Sequence, residues 1–284
     1  QAALHPRLAP HAAKITTAEA AAAHVRGGDH VFVGTACATP RVLVGAPETM
    51  KFPPADVELV HFLTDHAVPH GADGRAATRY RHRTFFVGND VRAAVEQRLA
   101  DYVPMSIARV PHMIAIGRIP VDVALIQVSL PDAFGYVSLG VSVDIVAAAV
   151  AKAKIVIAEI NASMPWSMGD STLHLSQIHH LVPVDAPVIE YAHHAAHEQV
   201  VEQIARYISG IIEDGSTLQV GLGRVTRVGH PVRQLPARRT AVLHGVHDRH
   251  GLLARPQVGE DRLPGPLRRA PDAEQVVDQL EGDA

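Results

Sequence analysis

Cysteine is nearly absent from this sequence, since Cys37 is the only one among 284 residues. Disulfide bridges within the chain are therefore excluded, and so is any zinc module built from several cysteines. A chain without disulfides is typical of a reducing compartment. The first residues also lack a basic segment followed by an apolar one. We therefore expect a cytoplasmic protein.

Strong charge and long apolar runs are also missing. The net charge is −3 and no run of five basic residues occurs, so we expect no nucleic-acid partner. The longest mainly apolar stretch, residues 143–160, is interrupted by Asp144, Lys152, Lys154 and Glu159, and we expect no membrane-spanning helix. With 47% hydrophobic residues, the chain can form the core of one large domain or of two smaller ones.

Apolar strand patterns alternate with helical patterns along most of the chain. This alternation favours an α/β fold with a mostly parallel sheet and helices on both faces. Residues 64–82 are polar and are predicted to form a loop. The predicted strands are residues 30–34, 57–63, 84–88, 121–129, 154–161 and 217–223. The predicted helices are residues 18–26 behind a Thr16–Glu19 capping box, 40–50 shortened by Pro47, 91–102 capped by Asp90, 105–116, 143–153 and 197–212.

Two loops follow predicted strands at the edge of the sheet where ligands bind in such folds. LPDAFGYVSLGVSVD (130–144) follows the strand at 121–129, and NASMPWSMGDS (161–171) continues from the strand at 154–161. Both loops would border one crevice at the carboxyl ends of the strands. Proline and glycine also form ordinary turns, so simple connections between elements remain an equal alternative.

A short internal repeat suggests a second α/β unit. VRGGDHVFVG (25–34) and IEDGSTLQVG (212–221) both contain a glycine turn, then a strand pattern, then a terminal glycine. A match at a fixed offset is typical of duplication. Short βα units also recur by chance, which is the alternative. If the repeat reflects duplication, it predicts a second unit that begins near residue 197 and is incomplete.

Five motifs occur together in a fixed order along the chain. They are GDHVFVGTACATP (28–40), DAFGYVSLGVSVD (132–144), AKIVIAEINASMP (153–165), GDSTLHLSQI (169–178) and EDGSTLQVGLGR (213–224). Together they resemble the acetyl-CoA hydrolase/transferase family, which includes 4-hydroxybutyrate and other carboxylate CoA-transferases. The resemblance covers roughly residues 14–224.

The resemblance implies two tandem α/β domains with an active site between them. It places the first domain at residues 14–195 and the start of a truncated second domain at 196–224. Residues 225–284 form a divergent tail that we expect to be poorly ordered. The substrates implied are coenzyme A, acyl-CoA and a short carboxylate, with no permanently bound cofactor and no metal. An uncovered domain face would also favour a homodimer.

The implied chemistry is covalent and uses a glutamate of the second domain. Its carboxylate attacks the acyl-CoA thioester, which gives an acyl-glutamyl anhydride and CoA thiolate. The thiolate then forms a glutamyl-CoA thioester and releases the carboxylate. A second carboxylate takes up the CoA, or water hydrolyses the intermediate. A weak nucleophile of this kind needs precise positioning and an oxyanion site.

The resemblance also nominates binding residues for coenzyme A. In the second domain, backbone N–H groups of a glycine-rich turn would form the oxyanion site, although a Gly-x-Gly after a strand is equally a simple turn. The nominated residues are Gly221, Leu222 and Gly223 in that turn, and Gly34, Pro40, Gly140 and Asp170 in the first domain.

The glutamate that the family pattern requires is missing. It should lie a little over twenty residues after the glycine-rich turn, yet no glutamate occurs between Glu213 and Glu260. Asp248 lies in this window but is one carbon shorter, and we interpret it as a solvated residue. Residues 224–284 contain ten Arg, six Pro and no aromatic residue. We therefore assign no catalytic residue and hypothesise that residues from about 225 onward are read out of frame relative to an ancestral gene, or come from a rearranged one.

Two histidine patterns and one carboxylate leave alternatives open. His193 and His197 are spaced like a zinc pair on a helix but have no evident third ligand. Both these histidines and a loose cluster between His61 and His70 have two interpretations, a metal site or ordinary polar residues. Glu159 lies in a predicted strand, where it could tune a site or bind a neighbouring loop.

Two functions from different classes follow from the sequence. The first is an acyl-CoA:carboxylate CoA-transferase or acetyl-CoA hydrolase. The alternative is a catalytically inactive remnant that binds CoA or a partner subunit, which the missing glutamate favours.

Overall fold

A computed structural model describes most of the first two thirds of the chain and short pieces of the rest. The chain divides into two units, Gln1–Ala192 and His193–Ala284. The predicted domain limits at 195 and 224 remain predictions, and the tail from 225 lies outside the described residues except for 241–244. The described residues are 5–51, 53–64, 80–88, 90–189, 203–204, 207–208, 210–212, 217–220 and 241–244.

The first unit contains nine strands and five α-helices among its described residues. The strands are β1 (His30–Val33), β2 (Val57–His61), β3 (Tyr80–Thr84), β4 (Ala100–Tyr102), β5 (Val123–Val128), β6 (Tyr136–Ser138), β7 (Ile155–Asn161), β8 (Thr172–His174) and β9 (His180–Val184). The helices are α1 (Ala18–Ala22), α2 (Arg41–Thr49), α3 (Arg92–Glu96), α4 (Val110–Ala115) and α5 (Val146–Lys152).

Seven strands form one parallel sheet in the order β4-β3-β2-β1-β5-β7-β9. Helices α1 and α2 pack on one face, and α4 and α5 pack on the other. All six residues of β5 are buried, because the central strands are covered on both faces. The predicted α/β fold with a mostly parallel sheet is confirmed.

The boundaries of α1 and α2 differ from the predictions. Thr17, not Thr16, is the N-cap of α1, because its hydroxyl accepts a hydrogen bond from the Ala20 N–H at 3.2 Å. Helix α1 also ends earlier than predicted, at Ala22. Helix α2 continues past Pro47 to Thr49, so the proline lies within the helix and does not end it.

The region around β3 and β4 departs most from the prediction. The strand predicted at 84–88 is instead Tyr80–Thr84, because this segment pairs along its whole length with β2. Its polar side chains are tolerated, since Arg83 pairs with Glu58 at 2.9 Å. The helix predicted to reach residue 102 ends at Glu96, and β4 follows.

Asp90 does not cap α3. Its carboxylate instead accepts a hydrogen bond from the Thr64 hydroxyl, just after the carboxyl end of β2. The N-cap position of α3 is occupied by Val91, which makes no side-chain capping bond. A carboxylate that was predicted to stabilise a helix therefore connects two loops at one edge of the sheet.

The segment after β5 turns back on itself as a strand, and β6 pairs antiparallel with β8. Sequence patterns did not predict β8 or β9.

In the second unit, β10 (Thr217–Val220) lies within the strand predicted at 217–223 and pairs in parallel with β11 (Ala241–His244). Among the helices of the described residues, none combines the length and apolar character needed to cross a bilayer.

Asp122 joins three segments at the amino edge of the sheet. Its carboxylate accepts hydrogen bonds from the His30 N–H at 2.9 Å and from the Lys154 Nζ at 2.7 Å. Burial alone would raise the pKa of Asp122, but the bonds from Lys154 and His30 outweigh it and lower the pKa to about 2. The ionised carboxylate therefore stabilises the folded state above its unfolded pKa of 3.8, and this contribution is lost as the pH falls through about 2.

We expect Asp122→Asn to lower the free energy of unfolding at pH 7 by about 2 kcal/mol, because the acceptor for the His30 N–H loses its negative charge and the bond its charge assistance. Urea unfolding at pH 7 and at pH 2 measures the effect, and the difference between the proteins should shrink at pH 2. Lys154→Met is the control, and its effect should be small because the Lys154 side chain is 78% exposed. Equal losses in the two variants would contradict this account.

Candidate functional site

Polar side chains replace apolar ones at the carboxyl ends of the two central strands, on the face covered by α1 and α2. In β5 this face changes from Leu125 to Gln127, and in β7 it changes from Ile157 to Glu159 and Asn161. All five side chains are buried. Buried polar groups in the middle of a sheet are costly unless they are hydrogen-bonded. Their bonding partners therefore indicate what this edge of the sheet is built to hold.

Gln127 and Asn161 form a buried amide pair. The Asn161 Nδ2 donates to the Gln127 Oε1 at 3.0 Å and to the Ala186 carbonyl at 2.9 Å. The Asn161 Oδ1 accepts from the Ser163 N–H at 2.9 Å. The Gln127 Nε2 donates to the Thr39 carbonyl at 3.2 Å. The pair therefore joins the ends of β5 and β7 to the loop that follows β1.

Glu159 binds the first turn of α2. Its Oε1 accepts from the Leu43 N–H at 2.8 Å, and the carboxylate also interacts with the Val42 N–H. Burial raises the pKa of Glu159 to about 7, although these backbone hydrogen bonds act in the opposite direction. The open question about Glu159 is thereby answered, since this carboxylate hydrogen-bonds a neighbouring segment.

The loop between β1 and α2, residues 34–40, lies above these side chains. The Gly34 N–H donates to the Leu125 carbonyl at 2.8 Å. A Cβ at Gly34 would lie 3.3 Å from the Leu125 oxygen and 3.4 Å from the Pro40 Cδ, so the loop passes close to β5. The Thr35 hydroxyl donates to the Asp144 carboxylate, which connects this loop to the segment before α5.

A second pair of loops meets at Ser138, at the end of β6. The Ser138 Oγ accepts from the Gly140 N–H at 3.1 Å and from the Ser167 N–H at 3.0 Å. Gly140 has a φ of +67° and packs directly against the Met164 side chain. Asp170 is exposed on the same loop. The two loops that were predicted to border one crevice are therefore in contact.

The structure brings together only some of the nominated binding residues. Gly34 and Pro40 are close neighbours, and the Thr35–Asp144 bond connects their loop to the segment that follows Gly140. Asp170 is exposed on the loop that follows β7. Gly221, Leu222 and Gly223 lie outside the described residues, as do His193, His197 and Asp248. The assignments of these residues to coenzyme A remain predictions.

Sequence reasoning missed Gln127 and Asn161. A signal was available, since Gln127 is the single polar residue in VALIQV and Asn161 ends IVIAEIN. A polar residue in an otherwise apolar central strand needs a buried partner, and its position near the strand's carboxyl end indicates a site. The partners themselves are far away in the sequence, so the pattern could not identify them.

A cavity or a metal site would be an alternative to this edge in the part of the chain that the structure describes. A cavity between α1, α2 and the sheet has a volume of about 30 Å³ and is lined mainly by apolar side chains. That volume holds on the order of two water molecules and is too small for a substrate. Within the described ranges, no three His, Cys, Asp or Glu side chains are grouped to hold a metal ion.

Known proteins resemble this chain over the region that contains the parallel sheet. Residues 5–208 match the model of the acetyl-CoA hydrolase/transferase N-terminal domain. The 4-hydroxybutyrate coenzyme A transferase of Clostridium kluyveri is 38% identical over 212 residues, which are 75% of this chain and 49% of that protein. The succinyl-CoA:acetate/propanoyl-CoA:succinate CoA transferase of Fasciola hepatica is 31% identical over 71% of this chain and 42% of that protein.

Solved structures share the fold. RipA from Yersinia pestis has a TM-score of 0.72 at 24% identity, over 84% of this chain and 57% of that chain. The 4-hydroxybutyrate CoA-transferase of Porphyromonas gingivalis has a TM-score of 0.58 at 24% identity, over 82% of this chain and 54% of that one. The chain spans about half the length of the curated relatives it matches.

Proposed function

Because the chain belongs to the acetyl-CoA hydrolase/transferase family, we propose that the carboxyl edge of its sheet binds acyl-CoA and a short carboxylate. The reaction served would be acyl-CoA:carboxylate CoA transfer or acetyl-CoA hydrolysis. The observation that carries this proposal is the set of buried polar side chains that hold the 34–40 loop at the edge where α/β sheets bind ligands.

The described residues of this edge support binding better than they support covalent chemistry. Glu159 is 2% exposed and its carboxylate is engaged by the backbone of α2, so it is not placed to attack a thioester. The family's glutamyl intermediate therefore needs another carboxylate, and the sequence contains no glutamate from 214 to 259. This absence favours the second candidate function, which is binding of CoA without turnover.

Calorimetry and a turnover assay test the proposal together. We expect acetyl-CoA to bind with a Kd below ~1 mM. We expect Gly34→Ala to weaken binding about tenfold, because the added Cβ presses on the Leu125 carbonyl and displaces the loop. Arg118→Ala is the control, since it removes an exposed cation at the opposite edge of the sheet and should leave the affinity unchanged.

The turnover assay separates the two candidate functions. Transfer of CoA from acetyl-CoA to a carboxylate, with a CoA adduct of the protein seen by mass spectrometry, would support the transferase. Binding with neither turnover nor adduct would support the inactive form. No binding of acetyl-CoA or CoA at millimolar concentration would refute both.

A further inference from the structure

The segment from Gly34 to Leu43 is held from below by side chains of the sheet. On one side of Pro40, the Gln127 amide donates to the Thr39 carbonyl at 3.2 Å. On the other side, the Glu159 carboxylate accepts from the Leu43 N–H at 2.8 Å. The loop and the first turn of α2 therefore have their backbone groups fixed by residues more than 80 positions away in the sequence.

Helix α2 has no cap of its own. Its N-cap residue is Pro40, which makes no side-chain capping bond, and the first N–H groups of a helix have no partner within it. Glu159 supplies the acceptor from β7 and places a carboxylate near the positive end of the helix. Without this side chain, the first turn of α2 would have to find other partners or open.

Asn161 supports Gln127, and through it the loop. It donates to the Gln127 Oε1, which orients the Gln127 amide so that its Nε2 faces the Thr39 carbonyl. Asn161 also binds the Ala186 carbonyl and the Ser163 N–H. The three side chains are all buried, and their polar groups are directed at neighbouring backbone groups and side chains and not at solvent.

We propose that Gln127, Glu159 and Asn161 are positioning residues that hold the backbone of the 34–43 segment in the conformation that binds acyl-CoA. The role in binding rests on the proposed function, whereas the control of the loop does not. Apolar side chains at these positions would continue the core begun by Leu125 and Ile157. The polar side chains serve the segment above them, because buried polar groups by themselves are costly.

Cys37 provides a local probe of this segment. It is the only cysteine of the chain, it lies inside the 34–43 segment, and it is partly exposed. Because the thiol is partly exposed, a change in its rate of reaction with a thiol reagent between variants reports a change in how accessible and how mobile the segment is. Because the probe needs no ligand, it tests the positioning role separately from the binding of acyl-CoA.

Three variants of the full chain test the proposal. Glu159→Met keeps the side-chain volume but removes the acceptor, while Glu159→Gln keeps an acceptor. Gln127→Met removes both the donor to Thr39 and the acceptor for Asn161. Val156→Ala is the control for lost stability, since it opens a cavity in β7 on the opposite face of the sheet.

We expect Glu159→Met and Gln127→Met to react at Cys37 about tenfold faster than the unmodified protein, and to bind acetyl-CoA more weakly. Glu159→Gln should restore most of the slow labelling. Val156→Ala should lower the melting temperature and leave the labelling rate unchanged. If the two methionine variants lose stability as Val156→Ala does but label at the original rate, the positioning role is refuted.

The two proposals fail in different ways. Faster labelling in the methionine variants, with no acetyl-CoA binding by any form of the protein, would support the positioning role and refute the proposed function. Protection of Cys37 by acetyl-CoA in the unmodified protein, lost in both methionine variants, would support both proposals.

Discussion

Replacing Gly140 by alanine should lower the free energy of unfolding by about 3 kcal/mol, through backbone strain and steric overlap together. Gly140 has a φ of +67°, in the left-handed region that favours glycine. A Cβ at this position would overlap the Met164 thioether and lie 3.2 Å from the Pro165 carbonyl oxygen. Thermal unfolding measures the effect, which corresponds to a decrease in Tm on the order of 8 °C.

Gly169→Ala is the matched control for Gly140→Ala. Gly169 has a φ of +90°, but no atom lies within 4 Å of the position of an added Cβ. Its alanine variant should therefore show only the cost of strain, about 1–2 kcal/mol. In a Met164→Ala background, Gly140→Ala should likewise fall to that smaller cost. Equal effects of the two alanine substitutions in the native background would show that the overlap with Met164 is unimportant.

Replacing Glu159 by glutamine should remove a decrease in stability that the protein shows between pH 4.5 and about 7. The unfolded carboxyl has a pKa of 4.5, and burial raises the pKa of Glu159 in the folded protein to about 7. In this window the folded state binds more protons than the unfolded state, so the free energy of unfolding falls as the pH rises. The difference between the two pKa values corresponds to about 3 kcal/mol.

Urea unfolding between pH 4 and pH 8 tests this, with the variant's stability subtracted from that of the unmodified protein so that histidine titration cancels. The difference should change across the window and become constant above pH 7. Asp122→Asn is the control. The pKa of Asp122 is lowered to about 2, so this carboxyl titrates in a more acidic range than pH 4.5–7. A constant difference for Glu159→Gln across pH 4.5–7 would mean that Glu159 does not titrate there.

The parallel sheet was predictable because its central strands are long, apolar and separated by helices. The patterns of β5 and β7 identified both strands within a few residues. Polar strand β3 was misplaced, because pairing with β2 along five residues outweighs what its own sequence favours. Asp90 was wrongly predicted to cap α3 for a similar reason. The Thr64 hydroxyl, just after β2, donates to the Asp90 carboxylate, which therefore does not cap the helix.

The candidate site was predictable in its position but not in its connections. The rule that ligands bind at the carboxyl ends of parallel strands selected the loops after β5 and β7, and the two loops do meet at Ser138. The bonds that hold the 34–40 loop come from Gln127 and Glu159, which lie 88 and 116 positions from their partners. Spacing within one segment carries no information about such contacts.

The amino-acid sequence by itself determined the fold class, the family resemblance and the edge of the sheet where binding is proposed. These follow from local periodicity and motif order, which need no knowledge of distant contacts. The tertiary structure alone decided that Glu159 caps α2, that the Gln127–Asn161 pair supports the loop above it, and that Gly140 has no room for a side chain. Each of these depends on which residues folding brings within a few ångströms, and on how far burial raises the pKa of a carboxyl.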